Sequence, residues 1–170
     1  MSSFSCLGLD LSLSLSAYAH VSTDTDLVTG LLPTTARNDD LARIRSVRGF
    51  VFSKVIQYKP DLVVLEGLAY GSVTGHATTR AGMWWSVVDK IDDAGLKYEI
   101  CPPTMLKKFA TGHGNASKDK VMLATAREFP TFDGDNNEAD ALWAATYGAM
   151  ILGCETLVKP NEYRRSLVRR

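Results

Sequence analysis

Cys6-Leu7-Gly8-Leu9-Asp10 is a short apolar run that ends in a carboxylate. The run predicts a buried strand with Asp10 at or inside its last position. Asp61-Leu62-Val63-Val64-Leu65-Glu66 has the same design, and Asp140 lies near the start of an apolar segment with helical character. An isolated buried carboxylate costs several kcal/mol unless it is paired or bound to a cation. The three acids Asp10, Glu66 and Asp140 therefore indicate a site for a divalent metal ion.

The length and composition of the chain fit one globular domain. Of its 170 residues, 45% are hydrophobic and 22% are charged, close to the averages for soluble proteins. We expect a domain over residues 1–155 and a basic C-terminal tail over residues 156–170. The three cysteines lie far apart, so we expect neither a disulfide framework nor a structural zinc site. Because no apolar run is long enough to span a bilayer, we expect a soluble cytoplasmic protein with no membrane partner.

Charge is balanced over the whole chain but segregated along it. Lys plus Arg and Asp plus Glu each number 19, so the chain has no net positive charge that would indicate a nucleic-acid partner. One segment nevertheless concentrates Lys107, Lys108, Lys118 and Lys120, and the tail is rich in arginine. A cluster of basic side chains can bind a phosphate backbone, whereas a cluster of acidic side chains can bind a metal ion. The alternative for each basic cluster is an ordinary solvated surface.

Periodicity and turn residues predict a mixed α/β domain that opens with three antiparallel strands. The predicted strands cover residues 4–10, 12–21, 27–32, 62–66 and 98–101, and the predicted helices cover 40–58, 78–94, 117–129 and 138–152. Acids end the first and fourth strands, and another acid lies on the last helix. This order predicts an RNase H-like fold, an α/β fold whose mixed five-stranded sheet is flanked by helices. The first and fourth strands are then neighbours, which brings Asp10 and Glu66 to one edge, and the last helix delivers Asp140.

The three acids suit the hydrolysis of a phosphodiester. Mg²⁺ prefers oxygen ligands, and two such ions about 4 Å apart can activate a water and neutralise the leaving oxygen. We expect two Mg²⁺ ions per site, replaceable by Mn²⁺, with Asp10 bridging both and Glu66 and Asp140 holding one each. Each acid also has a structural alternative. Asp10 and Glu66 could cap a turn or a loop, and Asp140 could be a helix acid favoured by the macrodipole.

Four segments of the chain resemble the RuvC-type Holliday-junction resolvases, and more closely their phage-borne members. They are Leu7-Gly8-Leu9-Asp10, Val63-Val64-Leu65-Glu66-Gly67, the long segment from Pro102 to Lys120, and Asn137-Glu138-Ala139-Asp140-Ala141-Leu142-Trp143. The long segment is the most specific, because its Gly and Lys positions are hard to reach by chance. The resemblance implies a homodimer that binds four-way DNA junctions and uses Mg²⁺ to nick two opposed strands symmetrically.

The resemblance also assigns roles to individual residues. It implies that Asp10, Glu66 and Asp140 are the catalytic carboxylates and that Lys118 is the active-site lysine. Lys118 starts a predicted helix beside a glycine-containing loop, from which it could reach the scissile phosphate. Tyr70 lies in the loop where the family carries an aromatic that intrudes into the opened junction. With Tyr70, the residues Lys107, Lys108, Lys118 and Lys120 are the candidate DNA contacts.

One feature differs from the family pattern, and another has no role that the resemblance explains. Family members commonly carry a fourth acid one helical turn before the last aspartate, where this chain has Asn136 and Asn137. We expect Asn137 to bind the metal through its carbonyl oxygen, with Asp135 or Glu138 as possible substitutes if the helix begins after them. The adjacent Trp84 and Trp85 cannot both face one core, so we expect one of them to meet a partner chain.

Other functions remain open at this stage. The same fold could cut other branched or RNA-containing substrates, or the chain could be a junction-binding module that does not cleave. An actin-like or sugar-kinase ATPase also begins with a strand, an acid and a meander. Such proteins place glycines after the first aspartate to hold phosphate, whereas this chain has Leu11-Ser12-Leu13-Ser14. We therefore expect no nucleotide cofactor.

Overall fold

A computed structural model describes residues 3–24, 27–34, 39–68, 76–154, 157–159 and 161–168. Its strands are β1 (Ser5–Asp10), β2 (Leu15–Ser22), β3 (Val28–Pro33), β4 (Leu62–Glu66) and β5 (Tyr98–Cys101). They form a five-stranded sheet in the order β3-β2-β1-β4-β5. β2 pairs antiparallel with β1 and β3, whereas β4 pairs parallel with β1 and β5. The mixed sheet and the adjacency of β1 and β4 confirm the predicted RNase H-like fold.

Helices cover both faces of the sheet. They are α1 (Asp40–Tyr58), α2 (Ala77–Asp93), α3 (Pro103–Thr111), α4 (Lys118–Glu128), α5 (Asn136–Ile151) and α6 (Glu162–Val168). Alternation along the strands produces two cores, because successive side chains point to opposite faces. On one face, Leu7, Leu9, Val63 and Leu65 pack against α1 and α2. On the other face, Cys6, Leu62 and Val64 pack against α3, α4 and α5. Among the described helices, none combines the length and apolarity needed to cross a bilayer.

Two glycines let α5 lie directly on the sheet. A Cβ atom built on Gly8 of β1 would lie 2.1 Å from the carbonyl oxygen of Ala141 and 2.3 Å from the backbone nitrogen of Ala145. A Cβ atom on Gly148 of α5 would lie 2.3 Å from the sulfur of Cys6. No side chain fits at either position while the helix stays in place. This close approach fixes how near the start of α5 comes to the end of β1.

The structure corrects several predicted boundaries. Residues 12–14 form a turn instead of the start of β2, because the Ser12 hydroxyl accepts from the backbone nitrogen of Leu15 at 2.9 Å and donates to its carbonyl at 2.8 Å. α5 begins at Asn136, two residues earlier than predicted. Helix α3 was not predicted, because Pro102-Pro103 was interpreted only as the end of a strand. Pro103 occupies the first turn of that helix, where a missing N–H costs nothing.

The segment predicted as a basic tail contains a packed helix. Arg164 of α6 is only 2% exposed, and its guanidinium donates to the carbonyl oxygens of Phe109, Ala110 and Lys159 and to the carboxylate of Glu128. These bonds join α6 to α3 and α4. The domain boundary at residue 155 stays a prediction, but the described part of the tail is not simply a solvated extension.

Candidate metal centre

Strand parity and register bring the three predicted acids together. Asp10 and Glu66 end the parallel strands β1 and β4, in which Leu9 is the register partner of Leu65. Both acids share the sheet face that α5 covers, and Asp140 lies in the second turn of that helix. One carboxylate oxygen from each of Asp10, Glu66 and Asp140 lies within 4.8 Å of the other two. The predicted convergence of residues 10, 66 and 140 is therefore confirmed.

The backbone around Glu66 is held from two sides. Trp84 of α2 donates its indole N–H to the carbonyl oxygen of Glu66 at 3.0 Å. The next residue, Gly67, donates its backbone N–H to the carbonyl of Cys101 at 2.8 Å. These bonds extend the β4 geometry past the last residue of the strand. The carboxylate of Glu66 thus points from a fixed backbone instead of a free loop.

A capping box fixes the start of α5, four residues before Asp140. Asp135 is the N-cap and accepts from the backbone nitrogens of Asn137 and Glu138 at 2.8 and 3.0 Å. Glu138 accepts from the backbone nitrogen of Asp135 at 3.0 Å through one oxygen and from the hydroxyl of Thr29 at 2.7 Å through the other.

The geometry of this cap shows where the two expected substitutes for the fourth acid, Asp135 and Glu138, lie. Both oxygens of Glu138 are occupied by the cap and by β3, and the helix begins before it, so the expectation that Glu138 could join the metal ligands is wrong. Asp135 lies outside the cluster of three acids, although its charge still acts on Asp10 and Asp140. Asn137 lines the same cleft as the three acids.

Burial and mutual repulsion make the acids weaker than free carboxylic acids. Burial first, and then the neighbouring charge of Asp140, raises the pKa of Asp10 to about 6. Burial first, and then the charge of Asp10, raises the pKa of Glu66 to about 8, and the two side chains share a hydrogen bond. Burial also raises the pKa of Asp140, against the opposing charges of Lys118 and Lys107. Without a further cation, the cluster therefore holds a proton near neutral pH.

The predicted basic residues fall into separate places. Lys107 of α3 and Lys118 of α4 line the cleft of about 340 Å³ that contains the acids. Lys120 instead lines a second cleft, between α4 and α6, with His113 and Arg127. Lys108 is exposed at the end of α3. Tyr70 lies outside the described residues, so its predicted contact with a base stays a prediction.

The cleft also contains residues that the sequence did not single out. Ser12 lines it from the β1–β2 turn, and Arg80 lines it from α2, beside Trp84, which the sequence indicated only as a core or interface residue. Ser12 belongs to a run that was weighed only for its lack of glycine. Arg80 lies near the start of a predicted helix and belongs to no recognisable motif, so the local sequence does not indicate that it lines the cleft.

The residues present fit a divalent metal ion. Carboxylate and amide oxygens are hard ligands of the kind that Mg²⁺ and Mn²⁺ prefer. Burial first, and then the neighbouring acids, raises the pKa values of Asp10 and Glu66, although Lys118 and Lys107 act in the opposite direction. A divalent cation held by Asp10, Glu66 and Asp140 would offset the negative charge of the three carboxylates. The cluster can therefore hold a metal ion.

Comparisons with known proteins agree with this geometry. No family model matches the chain. It is 29% identical over 150 residues to the crossover junction endodeoxyribonuclease RuvC of Synechococcus sp. (strain WH7803), covering 84% of this chain and 96% of that protein. It is 23% identical over 142 residues to the RuvC of Rickettsia felis, covering 80% of this chain and 91% of that protein.

The fold has solved counterparts of the same kind. The Thermus thermophilus RuvC structure superposes with a TM-score of 0.73 at 19% identity, covering 88% of this chain and 96% of that one. The same protein in complex with a Holliday junction substrate superposes with a TM-score of 0.72, again at 19% identity, covering 84% of this chain and 90% of that one. In sequence the chain is similar to these RuvC endodeoxyribonucleases, and in fold it is similar to the Thermus thermophilus RuvC structures.

Proposed function

We propose that this protein is a metal-dependent, structure-selective endodeoxyribonuclease that resolves four-way DNA junctions by paired symmetric nicks as a homodimer. The observation that carries the proposal is the meeting of Asp10, Glu66 and Asp140 within 4.8 Å, in a chain similar to junction resolvases. A non-cleaving binding module has no use for three carboxylates that repel one another. An ATPase of related topology lacks support, because the β1–β2 turn that faces the acids carries Ser12 and no glycine.

The metal ligands we propose are Asp10, Glu66 and Asp140, with the amide oxygen of Asn137 in the place of a fourth acid. Two Mg²⁺ ions, or Mn²⁺ in their place, would lower the pKa of the attacking water and offset charge on the leaving oxygen. Asp10 is hydrogen-bonded to Glu66 and close to Asp140, and we propose that it would hold both ions. Asn137 adds no charge, so its ion should be the more weakly held.

The lysines of the cleft have a distinct role. Lys118 is exposed and starts α4, yet its charge lowers the pKa of both Asp10 and Asp140. A flexible ammonium group at this position can contact a non-bridging oxygen of the scissile phosphate and offset charge in the transition state. Lys107 sits on the neighbouring helix and acts on Glu66 and Asp140. We propose that both lysines hold the strand over the acids.

The subunit interface we propose includes the exposed tryptophan of α2. Trp84 is buried, whereas Trp85 is 57% exposed and packs edge-on against Trp84. Trp85 borders an apolar groove of about 730 Å³ that also includes Ile100, Pro102 and Pro103. Large aromatic side chains of this kind are enriched at protein interfaces. A second copy of the chain on this groove would set the spacing of the two active sites and so the selection of a four-way junction.

The test is a cleavage assay with labelled DNA. The purified protein is incubated with a four-way junction, a linear duplex, a flap and an RNA-containing hybrid, each with Mg²⁺ and with EDTA. The proposal expects paired nicks in the junction only, only with the metal ion, and none from Asp10→Asn. Tight junction binding without product in Mg²⁺ or Mn²⁺ would support a binding module instead. Preferred cutting of the flap or hybrid would support the same chemistry on another substrate.

A further inference from the structure

Arg80 of α2 lines the acid-containing cleft and has an unsatisfied donor. It is in the first turn of the helix, and its side chain borders the space shared by Asp10, Glu66 and Asp140. Its Nε atom is buried and has no hydrogen-bond partner among the described residues. Buried donors are nearly always paired, so the unpaired Nε shows that the described fold provides no structural acceptor at this atom.

The other buried arginines of the described chain are satisfied. The Nε of Arg43 donates to the carbonyl of Leu13 at 3.1 Å, and the Nε of Arg164 donates to the carbonyl of Phe109 at 3.0 Å. Each of these two side chains also pairs with an acid. The fold thus supplies acceptors for structural guanidinium groups. Arg80 is the exception, and it is the one that borders the cleft.

Arg80 forms no ion pair with the proposed metal ligands. Among the described residues, no carboxylate lies within ion-pair distance of Arg80. Lys107 and Lys118 lower the pKa values of the clustered acids, and Arg80 is not among the groups that act on them. Arg80 therefore lines the same cleft as the acids without forming an ion pair with them. It also enters from the α2 side of the sheet, opposite the helices that carry the two lysines.

From this placement we propose that Arg80 binds a backbone phosphate of the DNA substrate next to the scissile one. A guanidinium group presents a planar fork of donors that matches two phosphate oxygens, and Arg80 lines the cleft that contains the acids. A strand crossing the acids would be held by the lysines on one side and by Arg80 on the other. Arg80 is then a substrate-binding residue, and this role rests on the proposed nuclease function.

The test compares Arg80→Gln with Arg80→Lys and with Arg48→Gln, a matched change at an exposed arginine of α1. Binding of a labelled four-way junction is measured in EDTA over a range of salt concentrations, so that no cleavage interferes. Arg80→Gln should weaken binding by about tenfold and reduce the slope of log affinity against log salt by about one. Arg80→Lys should keep the slope but recover only part of the affinity. Arg48→Gln should change neither quantity.

Kinetics and hydrodynamics separate this role from a structural one. In Mg²⁺, Arg80→Gln should raise KM more than it lowers kcat, and it should leave the thermal midpoint and the sedimenting mass unchanged. Binding equal to that of Arg48→Gln would overturn the inference while leaving the nuclease proposal intact. A lower thermal midpoint for both Arg80 variants, or a change to monomer, would also overturn it by showing that Arg80 supports the fold or the dimer. Wild-type protein that neither binds nor cuts the junction would overturn both proposals together.

Discussion

Replacing Glu66 by glutamine should stabilise the metal-free protein at neutral pH. Burial and the charge of Asp10 raise the pKa of Glu66 from 4.5 to about 8, so at pH 7 the folded protein keeps a proton that the unfolded chain releases. Stability then falls as pH rises from about 4.5 towards about 8, because the unfolded state binds fewer protons over that interval. Glutamine is uncharged at every pH, and its amide can still donate to Asp10.

The size of the effect follows from the same shift. At pH 7 the solution is about 2.5 pH units above the ordinary pKa and still below the raised one, which corresponds to at most about 3 kcal/mol. Because Asp10 shares the proton with Glu66, we expect Glu66→Gln to gain roughly 1 to 3 kcal/mol in unfolding free energy at pH 7. The gain should shrink towards pH 4.5 and disappear below about pH 3.5, where the wild-type side chain is protonated in both the folded and the unfolded state.

Urea denaturation in EDTA at several pH values from 4 to 8 measures this difference. Glu162→Gln, at an exposed glutamate of α6, is the matched control and should stay within about 0.5 kcal/mol of the wild type. Adding excess Mn²⁺ should reverse the order, because the wild type gains stability from metal binding and Glu66→Gln gains little. A wild type as stable as Glu66→Gln in EDTA at pH 7, or a difference that does not depend on pH, would refute the reasoning.

Three further substitutions test other parts of the site. Lys118→Gln should lower kcat on a junction by about 100-fold or more, whereas Lys120→Gln, which borders the other cleft, should affect mainly affinity and its salt dependence; equal kcat values for the two would contradict this division. Gly8→Ala should destabilise the protein by about 2 kcal/mol or more in urea, because its Cβ would overlap the α5 backbone, while Gly49→Ala, which meets open space in α1, should be neutral or stabilising. Asn137→Asp should keep activity or raise it at low Mg²⁺ in a metal titration of the cleavage rate, and a large loss would show that the amide has a role of its own.

The sequence was sufficient to predict the convergence of the three acids, because local patterns determine it. Alternation along β1 and β4 puts Asp10 and Glu66 on one face, and parallel pairing brings the strand ends together. Helical periodicity then directs Asp140 towards them. These steps use local sequence patterns and one rule of sheet topology, whereas the close packing of α5 on β1 at Gly8 is a tertiary feature that these patterns do not contain.

The features that the sequence missed depend on long-range contacts. Arg164 belongs to a segment that the sequence predicts to be a charged tail, and acceptors distant in sequence, at the end of α3 and on Glu128 of α4, make its burial favourable. The sequence predicts that Glu138 could bind the metal ion, but its second carboxylate oxygen accepts a hydrogen bond from Thr29 of β3, which is distant in sequence. The local sequence does not single out Arg80, because what distinguishes it is a tertiary feature: its buried Nε atom has no hydrogen-bond acceptor within the described part of the chain. Helix α3 was missed for a different reason, because a proline that ends a strand also suits the first turn of a helix.

Crystals soaked in Mn²⁺ and measured at the manganese absorption edge would test the central claim most directly. The account predicts anomalous density in contact with carboxylate oxygens of Asp10, Glu66 and Asp140, and its loss in crystals of Asp10→Asn. Manganese bound elsewhere, or no anomalous density at these oxygens at saturating Mn²⁺, would contradict it.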